Sequence, residues 1–262
     1  MKNSIYWQKR LEKLTNSSML SQKRNTLTFL RAYKSSLTEV QAYVNLLYAK
    51  YSKDGVLSMA EMYKFNRYTD MEKEIASIIS DLGKQEKTFM TNELKNTYKA
   101  SYISTGVILT EGIPKLAINF TKIPTGFVEK ALTYPWSGSD YSSRIWKNKE
   151  VLVSNLKQTL TRGFIQGNSI TNMSKDLKSV MDIGATNTRR LIRTEAMHIM
   201  SASHHDAYKQ AGVLKVKLIT AKDNRVCKKC DAMNNQIFDI NDAPMLPIHP
   251  NGRCEIIPYF ED

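Results

Sequence analysis

Apolar residues three and four positions apart recur along most of this chain, and strict alternation appears only near its end. Leu27, Leu30, Tyr33, Leu37, Val40, Val44, Leu47 and Tyr51 stack on one face of a helix, which the spacing predicts over 26–52. Lys53-Asp54-Gly55 breaks that pattern. Ser58 and Glu61 have the spacing of a capping box, in which each side chain bonds an orphan amide of the first turn. The helix they open carries Met62, Met71, Ile75, Ile78, Ile79 and Leu82, and Gly83 is expected to end it in a left-handed conformation. Met90, Leu94, Tyr98 and Tyr102, at steps of four, predict a third helix over about 86–108.

Gly112, Pro114, Pro124, Gly126, Pro135 and Gly138 punctuate residues 110–142, which read as an irregular connection or arm with at most a short helix near 125–133. Helical spacing returns at 143–166 through Ile145, Leu152, Leu156, Leu160 and Phe164. Gly167-Asn168-Ser169 reads as a turn and a cap, followed by a short helix to Asp182 that Gly184 ends. A longer helix, about 186–211, buries Leu191, Ile192, Ala196, Ile199, Met200, Ser203, Ala207 and Ala211 and stops at Gly212. Leu214-Lys215-Val216-Lys217-Leu218 then alternates as a half-buried strand does, and Gln236–Ile240 and Glu255–Ile257 are further strand candidates. The expected fold is a mainly α N-terminal region with a small C-terminal α+β unit. Its expected divisions are a helical basic region over 1–110, the connection or arm over 111–142, and a domain over 143–262. Within that domain the helices span 143–211 and the α+β unit spans 213–262.

The formal charge of +13 is unevenly spread. Residues 191–262 hold nine basic and nine acidic residues, so the whole excess lies in the first 190. Such asymmetry points to a polyanionic neighbour, nucleic acid or an acidic protein surface, although a solvated helical face has the same composition. No apolar run is long enough to span a bilayer, and the start, Met1-Lys2-Asn3-Ser4-Ile5, lacks a secretory pattern. The expected setting is a cytoplasm, and three cysteines in a reducing compartment argue against a disulfide framework.

All three cysteines lie within 227–254. Cys227-Lys228-Lys229-Cys230 is a C-x2-C pair, and His249-Pro250-Asn251-Gly252-Arg253-Cys254 adds an imidazole and a third thiol. A two-residue spacer lets both sulfurs of a knuckle reach one tetrahedral ion, and the second pair closes the shell. Cys227, Cys230, His249 and Cys254 are therefore the candidate ligands of a structural zinc, whose four protein ligands leave no open position. A metal-free buried cluster and a redox pair are the alternatives. Arg193 and Glu195, two apart on the long helix, point in different directions and are candidates to brace the cysteine unit from outside. His198 reads as a packed histidine and His204-His205 as a solvated helix edge. No His-x-Glu precedes the C-x2-C pair, and His-Glu-x-x-His, the Walker phosphate loop and Gly-x-Ser-x-Gly are absent, so no catalytic residue is assigned.

Arg193-Thr194-Glu195-Ala196, Ala207–Val213, Asp223-Asn224-Arg225-Val226-Cys227-Lys228-Lys229-Cys230 and Pro247–Cys254 follow one another in order over residues 193–254. Together these four runs resemble the Mu F-like domain of phage head-morphogenesis or minor head proteins. Tyr6-Trp7-Gln8-Lys9-Arg10 and Gly163–Ser169 are similar to the same proteins. The family's closing motif carries a cysteine where Gly252 stands here, which leaves Cys254 as the fourth ligand. The resemblance implies a low-copy minor head (capsid) protein acting in procapsid and head morphogenesis, in the virion near the portal and in the host cytoplasm during assembly. Its implied partners are the phage portal protein, inner capsid or scaffold proteins and double-stranded DNA bound without sequence preference, with no membrane in the mature role. It implies no activity; some relatives carry toxin domains after this unit, and with the chain stopping at Asp262 none is expected here. Two rival functions are a metal-dependent nuclease or hydrolase acting on DNA and a non-specific DNA-binding module without a capsid role.

Overall fold

The computed structural model describes residues 4–221 and 226–261. Met1–Asn3, Asp262 and the motif residues Asp223, Asn224 and Arg225 lie outside the described residues. Helices α1 (Ser4–Phe29), α2 (Arg31–Tyr51) and α3 (Met59–Tyr63) lead through a single 3₁₀ turn to α4 (Arg67–Gly112). Helices α5 (Phe127–Thr133), α6 (Tyr141–Gln166) and α7 (Ile170–Gln210) follow. The chain ends in β1 (Lys215–Ile219), α8 (Lys228–Ala232), β2 (Ile237–Asp239) and β3 (Glu255–Tyr259). It is thus mainly helical with a small antiparallel sheet, in the order β2-β1-β3.

Two compact units are built from interleaved segments. The first takes Met1–Asn25, Met90–Tyr141 and Arg190–Asp262; the second takes Thr26–Phe89 and Ser142–Arg189. In the second unit the α2 stripe Tyr33, Val40, Val44, Leu47 and Tyr48 meets Met71, Ile75, Ile79 and Leu82 of α4. Leu152, Leu156, Leu160 and Phe164 of α6 and Met173, Leu177 and Met181 of α7 complete that core. The predicted 26–52 helix is divided at Leu30, and Leu27, assigned to its buried face, is exposed. Ser58 does accept the amide of Glu61, at 3.3 Å, but the helix it caps ends at Tyr63. The Glu61 carboxylate turns instead to Lys64 and Arg67, and the two residues between these, Phe65 (φ 53°) and Asn66 (φ 59°), break the chain direction before α4.

Gly83 and Gly184 do not end helices as expected; α4 and α7 run through them. At these positions glycine serves close approach rather than a turn. A Cβ at Gly83 would stand 2.7 Å from the Trp146 ring, and one at Gly184 3.2 Å from Leu152. Buried in the same core is a charged cluster: Lys149 Nζ donates to Glu86 Oε2 and to Tyr33 Oη, and Thr188 donates to both Glu86 oxygens at 3.0 Å. Loss of hydration pushes Lys149 below the usual lysine range, while the Glu86 charge opposes that shift.

In the first unit, α1 buries Trp7, Leu11, Thr15 and Gln22 at helical spacing. Residues 113–126 hold no regular element, yet Phe120 is buried against α4 at Gly106, where a Cβ would meet the ring 2.1 Å away. Alanine for glycine in a helix interior ordinarily stabilises. Gly106→Ala is instead expected to cost about 1–3 kcal/mol, because the Phe120 ring must move out of a packed site. Thermal unfolding measures this, and an unchanged or raised midpoint would contradict the packing.

The central strand β1 pairs Val216 with Pro258 and Leu218 with Ile256 on β3, and Lys217 with Ile237 on β2. Pro258 lacks an amide donor and sits on an edge strand, where none is required. Tyr208 of α7 donates to the Ile256 carbonyl at 3.0 Å, fastening the sheet to the helix before it. Helix α7 is accordingly buried almost all round from Leu191 to Met200, as a helix enclosed by other elements must be.

Candidate metal centre

Cys227 stands at the N-cap of α8 in extended backbone, so its sulfur faces the first-turn amides; the Cys230 amide donates to Cys227 Sγ at 3.4 Å. This bond stabilises a thiolate and holds Cys227 below the usual thiol range. Burial acts the other way on the other two thiols, pushing Cys230 up to about 12 and raising Cys254. A bound cation reverses such shifts, since a coordinating thiol is deprotonated outright.

His249 comes from the loop between β2 and β3. Its Nδ1 lies 3.0 Å from the Pro250 carbonyl, which can only accept, so a neutral ring carries its lone pair on Nε2. The candidate ligand atoms of Cys227, Cys230 and His249 all lie within 4.8 Å of one another. Cys254 lies outside that trio but beside it, its thiol in hydrogen-bond contact with that of Cys230. At Gly252, between them in sequence, a Cβ would stand 2.8 Å from the Pro247 Cβ and 3.0 Å from the His249 carbonyl oxygen. The turn leaves no room for a side chain there.

Helix α7 anchors this loop at two points one turn apart. Thr194 Oγ1 accepts the Asn251 amide at 3.1 Å, and His198 Nδ1 donates to the Leu246 carbonyl at 3.0 Å. Between them Glu195 accepts from Trp136 Nε1 at 3.0 Å, and the Trp136 ring stacks on His198 at 4.6 Å. Glu195 is buried and Arg193 half-buried. Thr194 thus does work that sequence reading did not assign to it, and His198 is the packed histidine expected. The only signal available was their i, i+4 spacing, which is equally that of ordinary core residues.

His204 and His205 are not a solvated edge. His204 is fully buried, and His205 donates from Nε2 to the Ile240 carbonyl at 2.7 Å. Burial pulls the His204 ring down to about 4. It lies with Thr15 and Glu255 around a very small cavity, and burial raises the Glu255 carboxyl to about 7. A histidine whose folded pKa lies below its unfolded value near 6.5 contributes stability above pH 6.5 that is lost as pH falls toward 4. Glu255 has the opposite sign: its contribution is full below its unfolded value near 4.5 and disappears as pH rises through 7. The difference between the parent chain and His204→Phe isolates the first effect. Between pH 7 and pH 4 the parent is expected to lose about 3 kcal/mol more than the variant. Parallel pH profiles in urea unfolding would count against it.

Residues 154–257 make up a Mu F-like region, matching the family described as Phage Mu protein F like protein. This span contains α7, β1, β2, the start of β3 and the whole cysteine–histidine centre, and it bears out the resemblance carried by the sequence motifs. Among curated proteins, the chain is 26% identical to minor head protein GP7 of Bacillus phage SPP1, over 69% of this chain and 58% of that protein. It is also 22% identical to NAD(+)–arginine ADP-ribosyltransferase EFV of Enterococcus faecalis (strain ATCC 700802 / V583), over 81% of this chain and 42% of that protein. The chain therefore spans about half the length of these relatives. No solved structure matches it.

Proposed function

We propose that this protein is a minor head protein of a tailed bacteriophage, acting in head morphogenesis rather than in catalysis. The observation that carries this reading is the Mu F-like match over 154–257, joined to a likeness to minor head protein GP7 that extends over 69% of the chain. Its place is the virion, inside the capsid near the portal, with the portal protein and inner capsid or scaffold proteins as partners. No helix among the described residues is long and apolar enough to cross a membrane. The ADP-ribosyltransferase relative carries its activity in a protein of which this chain spans 42%, and the motifs described above supply no catalytic set.

The cysteine–histidine centre fits a structural zinc. Its donors are soft thiolates and an imidazole, three of them already gathered within 4.8 Å, with an amide–sulfur bond of the kind that supports a metal-bound thiolate. Cys227, Cys230 and His249 would hold the ion, with Cys254 as the fourth ligand. The ion would fix the α8 turn to the 246–254 loop, a tie that so small a sheet does not supply by itself. Arg193 and Glu195 would steady that arrangement from α7.

Lysine and arginine excess in the first 190 residues supports contact with packaged DNA through phosphate charge alone. Duplex affinity is expected to fall at least about tenfold between 50 and 200 mM salt, in a filter-binding series with unrelated sequences behaving alike. Flat salt dependence would remove DNA from the reading. The assembly role itself is tested by co-sedimentation of the purified chain with the phage portal protein. Association is expected, and its absence overturns the portal assignment. Nicking of plasmid DNA by the metal-loaded protein would favour the nuclease alternative instead.

A further inference from the structure

The first unit holds a cavity that contains none of the candidate metal ligands. It has a volume of about 290 Å³ and opens among α5, the last turns of α7 and the 241–245 segment. Phe127, Ala131, Ala202, Pro244, Met245 and Ile256 give it apolar walls. Three polar groups of the lining are already engaged: His198 by the Leu246 carbonyl, His205 by the Ile240 carbonyl, and Asp206 by the Tyr98 hydroxyl. Tyr134, Ser201 and Asn241 add neutral polar groups, and the two remaining charges are cationic. Lys130 of α5 and Lys209 of α7 both line the opening, both are exposed, and neither forms an ion pair among the described residues.

An apolar cavity with two ammonium groups at its mouth selects a ligand that is apolar at one end and anionic beside it. A bare phosphate is a poor occupant, because it would give up hydration for apolar walls. A broad, flat membrane surface does not fit into a concavity of about 290 Å³. We propose that this cavity receives a single large apolar side chain from an acidic peptide segment of a partner protein, whose flanking carboxylates meet Lys130 and Lys209. Interfaces commonly draw their affinity from one such anchor in a desolvated pocket, with rim charges setting selectivity and rate. Lys130 and Lys209 at the mouth favour an acidic partner, and the net charge of +13, carried by the first 190 residues, disfavours a second copy of this chain. The inference stands whether or not the phage reading holds.

The test uses the full chain, labelled with nitrogen-15, titrated with a synthetic peptide carrying Leu-Phe between two Glu-Asp pairs. Amide shifts are expected at 127–134, 198–209 and 241–246, together with a change in Trp136 fluorescence through its stack on His198. Replacing Leu-Phe by Ser-Ser in the peptide should abolish these shifts. Lys130→Glu combined with Lys209→Glu lies on the surface and should leave the fold intact while weakening the peptide about tenfold or more. Ala202→Phe should block it by filling the cavity. The proposal is overturned if the acidic peptide gives no saturable shifts up to millimolar concentration. It is equally overturned if a Lys-flanked peptide binds as well, if the charge-reversed variant binds unchanged, or if benzoate matches the peptide and so shows a small-anion site only.

Discussion

Purified under reducing, chelator-free conditions, the protein is expected to carry one zinc ion per chain, and Cys230→Ser is expected to lose it. Structural zinc contributes on the order of 10–16 kcal/mol in small peptide hosts, part of which here is offset because β3 and the 246–251 loop are already fixed by Tyr208 and the α7 anchors. A loss of at least about 3 kcal/mol remains, which for a chain of this size lowers the melting temperature by about 10 °C. Metal analysis by mass spectrometry and a melting curve with and without chelator measure both quantities. Cys254→Ser separates the ligand set: a fourth ligand should behave as Cys230 does, whereas a merely neighbouring thiol should leave metal content unchanged. Stoichiometric absence of metal with an unaltered melting curve would leave a buried thiol cluster in place of the centre.

In the second unit, Glu86→Leu and Lys149→Met taken singly are each expected to cost about 3–5 kcal/mol, because each strands an opposite charge inside a dry core. The side chains are 0% and 3% exposed, so water cannot take over the missing partner's role. Combined, the two changes should come close to neutral, since apolar side chains of similar volume remove both desolvation penalties together. Tyr33 and Thr188 keep each other as partners at 2.6 Å in that double variant. Urea unfolding of the four proteins forms a complete cycle. Single variants within about 1 kcal/mol of the parent would mean that the pair is solvated after all.

Where sequence reading succeeded, apolar spacing and burial coincide: α6 and the strands fall within a residue or two of expectation, and α5 lies where a short helix was allowed. It placed α1 no more closely than within a helical region over 1–110, because that helix buries Thr15, Gln22 and Thr26 alongside Trp7 and Leu11, so three of these five buried positions are written in polar letters. It cut α4 and α7 at Gly83 and Gly184 because a glycine that admits a neighbouring ring looks the same in one dimension as a glycine that turns a chain. At the site, the C-x2-C knuckle was legible from spacing, since its geometry is local. The anchoring roles of Thr194 and His198 were not, since what each holds is a backbone group about fifty residues further on. His204 and His205 were misread for the same reason, as β3 and the Ile240 carbonyl cover them.

The interleaving of the two units has a bearing on synthesis. The second unit needs nothing beyond Arg189, so every one of its residues has left the ribosome while the first unit still lacks its sheet and its cysteines. Trp7 can already pack on Gly112 of α4, whereas Thr15 must wait for Glu255 of β3 to emerge. Nor does any single cut yield a self-sufficient half: an internal break at residue 190 separates α1 from the strands that share its unit, and one at residue 26 does the same.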